Sequence, residues 1–117
     1  MGNQAGEAAA LNNIGGVYDN LSQYPQALES YQQALEISKA IGKRAGAATT
    51  LSNIGQTYTH LSQYAKALEF YQQALEISKA IGDKAGEAVT LNNIGVVYDN
   101  LSQYRQALKF HQQALEI

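Results

Sequence analysis

The stretch LNNIGGVYDNLSQY at residues 11–24 returns as LSNIGQTYTHLSQY at 51–64 and as LNNIGVVYDNLSQY at 91–104. The repeat period is 40 residues. Residues 11–40 match 51–80 at 22 of 30 positions, and residues 11–37 match 91–117 at 22 of 27. A fixed period of this size is the signature of an array of stacked supersecondary units. No Pro-rich or Gly/Ser-rich linker interrupts it, so the expected organisation is one array over residues 1–117. Its repeats fall at about 3–42, 43–82 and 83–117.

Each repeat has the periodicity of two helices. Leu11, Ile14, Gly15, Tyr18 and Leu21 sit at i, i+3, i+4, i+7 and i+10, which places them on one face of a helix running from about Gly6 to Leu21. Asn3, Lys43 and Asp83 occupy its start in the three copies. Asn and Asp can cap a helix there and Lys43 cannot, so the middle start is the weaker one. Leu21-Ser22-Gln23-Tyr24 breaks the pattern and reads as the turn, with Ser22 a candidate cap. Pro25 falls in the next first turn, where a missing N–H costs little. The second helix, from about Tyr24 to Ile41, keeps the period through Ala27, Leu28, Tyr31, Ala34 and Leu35. It stops at Gly42, a usual place for glycine. Neither helix can bury its face alone, so stacking must supply the core.

Composition narrows the function classes. Of the 117 residues, 45% are apolar, and the net charge is −2. An acidic chain lacks the basic footprint of nucleic-acid binding. No apolar run approaches a membrane span, and Met1-Gly2-Asn3-Gln4 has neither the charged start nor the apolar stretch of a signal peptide. The absence of cysteine removes disulfide and thiolate chemistry; a cytoplasmic setting is the expectation. The only histidines, His60 and His111, lack metal-ligand spacing. No catalytic or metal site and no cofactor is expected. The helical glycines Gly15, Gly55 and Gly95 read as close helix–helix contacts.

Leu11-x2-Ile14-Gly15-x2-Tyr18 followed by Ala27-x3-Tyr31 and Ala34 resembles the tetratricopeptide repeat (TPR). The pattern recurs at 51, 54, 55, 58, 67, 71 and 74. It recurs again at 91, 94, 95, 98, 107 and 114, with His111 in the aromatic position. The 40-residue period is similar to the longer repeats of kinesin light chains and of the Leu-Gly-Asn-repeat adaptors. The resemblance implies an all-α, TPR-type α-solenoid of three helix-turn-helix repeats, six helices in a right-handed superhelix. It also implies that the face opposite the packing stripe lines a concave groove for protein partners.

The groove set is then Asn12, Asn13, Asp19 and Asn20 in the first copy, with Ala9 and Gly16. In the second it is Ser52, Asn53, Gln56, Thr59 and His60, with Thr49. In the third it is Asn92, Asn93, Asp99 and Asn100, with Val89 and Val96. Four of the eight differences between the first two copies, at 12/52, 16/56, 19/59 and 20/60, fall on this face. Asn13, Asn53 and Asn93 form a ladder of amides, each with two donors and an acceptor suited to a peptide backbone. No Lys or Arg is in the set, which disfavours capture of a terminal carboxylate. The expected ligand is an extended protein or peptide segment, neutral to basic, with no nucleic acid and no membrane. The alternative is a structural repeat, natural or engineered, with no dedicated ligand. It would self-associate through uncapped terminal helices, because Tyr104, Leu108, Leu115 and Ile117 lie on the last one.

Overall fold

The computed structural model describes residues 3–117; Met1 and Gly2, part of the start read above for signal-peptide character, lie outside it. Six helices follow one another: α1 (Gln4–Asn20), α2 (Tyr24–Ala40), α3 (Arg44–His60), α4 (Tyr64–Ile81), α5 (Lys84–Asn100) and α6 (Tyr104–Leu115). No strand occurs among the described residues. The helices pair as three hairpins, α1–α2, α3–α4 and α5–α6, and the hairpins stack through α2 on α3 and α4 on α5. The result is an elongated all-α solenoid of 49 × 32 × 17 Å.

The helix starts follow the capping argument. Asn3 Oδ1 accepts from Gly6 N at 2.9 Å, and Asp83 Oδ1 accepts from Gly86 N at 2.9 Å. Lys43 has no side-chain cap bond. The stops follow it too, because Gly42 and Gly82 adopt φ +73°, where a side chain would be strained. The turn inside each hairpin corrects the reading of Ser22. Ser22, Ser62 and Ser102 have φ near +60° and cap nothing; Gln23, Gln63 and Gln103 occupy the N-cap positions without side-chain bonds. The serine takes the left-handed position instead. Ser22 N donates to Asp19 O at 3.0 Å and Gln23 N donates to Tyr18 O at 2.8 Å. These two bonds satisfy the last carbonyls of α1 as a Schellman closure.

Two apolar clusters hold the stack. Ala27, Tyr31, Leu35, Ala47, Leu51 and Ile54 join the first hairpin to the second. Ala67, Tyr71, Leu75, Leu91, Ile94 and Val97 join the second to the third. Ala27, Ala34, Ala67 and Ala74 are completely buried, so helix backbones approach closely there. The glycine reading holds: a Cβ on Gly55 would meet Tyr71 Cε1 at 2.8 Å, and one on Gly95 would meet His111 Cε1 at 2.6 Å. Burial at this position depends on a preceding hairpin. Ile54 and Ile94 are each 3% exposed, whereas their counterpart Ile14 on α1 is 45% exposed. At about 25 cal/mol per Å2, closing each such face contributes roughly 1.5–3 kcal/mol per large side chain.

Candidate functional site: a polar concave face

The face of α1, α3 and α5 turned away from the apolar clusters carries two shallow hollows. One, of about 670 Å3, lies between the first and second hairpins and is lined by Asn12, Asn13, Gly16, Asp19, Asn20, Asn53, Gln56 and His60. The other, of about 530 Å3, lies between the second and third and is lined by Thr49, Ser52, Asn53, Gln56, Asp83, Val89, Thr90 and Asn93. Asn53 and Gln56 line both, so the hollows form one continuous surface across the middle repeat.

Among the described residues, Asn13, Asn53 and Asn93 make no side-chain hydrogen bond, and Asn53 and Asn93 are half-buried while Asn13 is exposed. Each falls on the first helix of its hairpin at the same register. Their amides therefore have unused hydrogen-bonding capacity, repeated at one register along the face. Gln56 and Asn20 are exposed beside them, and Ser52 is half-buried. Asn100 is exposed but lines neither hollow.

Several residues placed on this face by the helical wheel already hold partners within the protein. Asp19 is only 8% exposed. Its Oδ1 lies 3.1 Å from the donating Thr57 hydroxyl, and His60 Nδ1 lies 3.1 Å from both carboxylate oxygens. Asn12 Oδ1 lies 3.0 Å from Thr50 Oγ1. The Thr59 hydroxyl donates to Gly55 O in its own helix at 2.9 Å. In the third hairpin, His111 Nδ1 lies 3.0 Å from Asn92 Oδ1, and His111 Nε2 lies 3.5 Å from Asp99 Oδ2. Sequence spacing shows which way a residue faces, not what the next helix brings to it. Asp83 and Thr90 are among the lining residues that the wheel missed; Asp83 sits in a turn, and its cap bond to Gly86 holds the carboxylate at the rim.

The electrostatics are mildly acidic. Asp19, Asp83 and Asp99 lie on or beside this face, and no Lys or Arg lines either hollow. Burial raises the Tyr31 phenol above its ordinary value of 10.0, and the Asp19 carboxylate adds to the rise. Tyr71 is raised for the same two reasons, partly offset by the Thr59 hydroxyl. Both rings therefore stay neutral against Gly15 and Gly55. No group of three or more His, Cys, Asp or Glu side chains suited to a metal occurs among the described residues.

The sequence profile of the tetratricopeptide repeat matches residues 6–80 and 46–117, almost the whole length. The chain belongs to the tetratricopeptide repeat family. No curated protein sequence matches it significantly. Among solved structures it is similar to aspartyl phosphate phosphatase F from Bacillus subtilis, with a TM-score of 0.93 at 22% identity. That match covers 99% of this chain and 30% of the other. It is similar to BtubC (BKLC) from P. vanneervenii, with a TM-score of 0.82 at 27% identity, over 94% of this chain and 45% of that one. The TPR domain of Arabidopsis FLU matches at 18% identity and a TM-score of 0.87, covering 97% of this chain and 95% of the domain. This TPR array thus spans less than half the length of the first two proteins it resembles.

Proposed function

We propose that the chain is a protein-interaction scaffold that holds an extended, neutral to basic peptide segment against its concave face. The observation that carries this reading is the ladder of Asn13, Asn53 and Asn93, three amides in register with no internal partner. An extended backbone offers alternating N–H and C=O groups, and an amide can satisfy both. Gln56, shared by the two hollows, extends the ladder towards the middle. The likeness to the asparagine-lined grooves of kinesin light chains belongs to the same proposal. Asp19, Asp83 and Asp99 favour a ligand without excess negative charge. No helix of the described residues is long and apolar enough to cross a membrane.

A screen against an array of extended peptides tests the proposal. Asn53→Ala and Asn93→Ala should each weaken the best binder by about 1 kcal/mol, the net value of a hydrogen bond, while helical content is unchanged. Binding that survives the double substitution refutes the ladder as the reader.

A second reading, association through the ends of the array, rests on α6. Leu108 is 57% and Leu115 is 86% exposed, whereas Leu75, the counterpart of Leu115 in the second hairpin, is 5% exposed. Light scattering over a concentration series tests it, and a strictly monomeric chain at high concentration rejects it.

A further inference from the structure

Consecutive repeats meet through two chemically different seams. Between the first and second, the buried carboxylate of Asp19 on α1 receives the Thr57 hydroxyl and His60 Nδ1 from α3, each at 3.1 Å. The His60 ring also lies 6.1 Å from the Tyr24 ring of the first repeat, centroid to centroid. Between the second and third repeats, the same three positions are Thr59, Val97 and Asn100. There the Thr59 hydroxyl donates to Gly55 O within its own helix at 2.9 Å, and Val97 is completely buried. All three positions differ together between the two seams. A mixed seam would fare worse than either, because valine facing Asp19 would leave a buried carboxylate short of a donor. That is costlier than losing both halves of a pair.

We propose that Asp19, Thr57 and His60 form a lock that sets repeat order. A repeat with aspartate at this position is followed by one that presents a hydroxyl and an imidazole at the two facing positions. The third repeat carries the aspartate half again, as Asp99, on the exposed end formed by α5 and α6. This end therefore fits a repeat of the second-copy kind, bearing threonine and histidine. It fits less well a repeat of the first-copy kind, which brings Val17 and Asn20. The apolar part of the seam is already in place, since Leu108 and Leu115 repeat Leu68 and Leu75, which pack against the following hairpin. The lock joins α1 to α3 beneath the first hollow, whose lining Asp19 and His60 share, and it stands on that packing rather than on the peptide reading.

Two sets of variants of the full chain test it. Thr57→Val alone should shift the unfolding equilibrium towards the unfolded chain by roughly tenfold or more, the loss of a hydrogen bond to a buried charged group. Asp19→Thr/Thr57→Val/His60→Asn, which copies the second seam, should recover most of that loss. An equal cost of Thr57→Val with and without Asp19→Thr, or a triple variant as unstable as the single one, overturns the lock. At the ends, Val17→Thr/Asn20→His gives the first repeat the second-copy chemistry. It should tighten head-to-tail self-association roughly tenfold in sedimentation equilibrium. Adding Asp99→Val should return association to the parent level. A double variant that associates no better than the parent, or tightening that survives Asp99→Val, overturns the assignment of the end face.

Discussion

Adding one methyl group to each of two helical glycines should move stability in opposite directions. At Gly55 a Cβ would stand 2.8, 2.9 and 3.0 Å from three ring carbons of Tyr71. Ordinary contact begins near 3.4 Å, so the ring would have to retreat by about half an ångström. Tyr71 is 2% exposed and packed in the second cluster, so it has nowhere to go. Overpacking of this kind costs about 1–3 kcal/mol, and the better helix propensity of alanine returns up to about 1 kcal/mol. The expected net loss for Gly55→Ala is about 1–2 kcal/mol. At Gly16 the nearest atom to a new Cβ is the Tyr31 hydroxyl at 3.8 Å, so only the propensity gain of about 0.5–1 kcal/mol remains. The sequence agrees, since the other copies carry Gln56 and Val96 there. Thermal unfolding followed by far-UV circular dichroism reads the difference, at about 4 °C for each kcal/mol in a chain of this size. Gly55→Ala as stable as the parent, or both variants shifting the same way, would refute the close-contact account.

Three further outcomes follow from the same structure. Lys43→Asp should supply the cap that α3 lacks and raise stability by about 1 kcal/mol in urea unfolding; no gain would mean the α3 start is already satisfied. Leu75→Ala should cost about 2–5 kcal/mol and Leu115→Ala less than about 0.5 kcal/mol, because one is buried and the other open to solvent; equal costs would contradict the observed burial. Tyr31 and Tyr71 have folded pKa values raised above 10.0. Their contribution is therefore complete below the unfolded value and is lost as pH rises through the folded value. Stability should fall above about pH 10, and Tyr31→Phe/Tyr71→Phe should blunt the fall in alkaline unfolding curves.

The helical array was legible because its signals are local and repeated. Three copies of one periodic stripe, small residues at 27, 34, 67 and 74, and glycine stops at 42 and 82 all point to stacked hairpins. The caps at Asn3 and Asp83 could be read residue by residue for the same reason. The turn serines were misread because serine is favoured as a cap, yet here the Schellman closure needs a left-handed residue and Ser22 supplies it. Asp19 shows the limit for the site. A wheel drawn on α1 places it on the concave face, but its partners Thr57 and His60 arrive from a helix some 40 residues away. Packing across the stack, not the period of one helix, decides which polar residues keep free hydrogen-bonding capacity. Asn13, Asn53 and Asn93 keep theirs whole, while Asn12 and Asn92 each have their Oδ1 taken up by a neighbouring helix.

The side-chain amide resonances of the asparagines test the central claim most directly. With 15N-labelled protein, a two-dimensional NMR titration against the tightest peptide from the array would follow each amide separately. A peptide held along the concave face shifts the side-chain signals of Asn13, Asn53, Gln56 and Asn93 together, in proportion to occupancy, and leaves the backbone of α2 and α4 unmoved. Saturable shifts confined to α6 or to the outer helices, with those four side-chain amides unchanged, would contradict it.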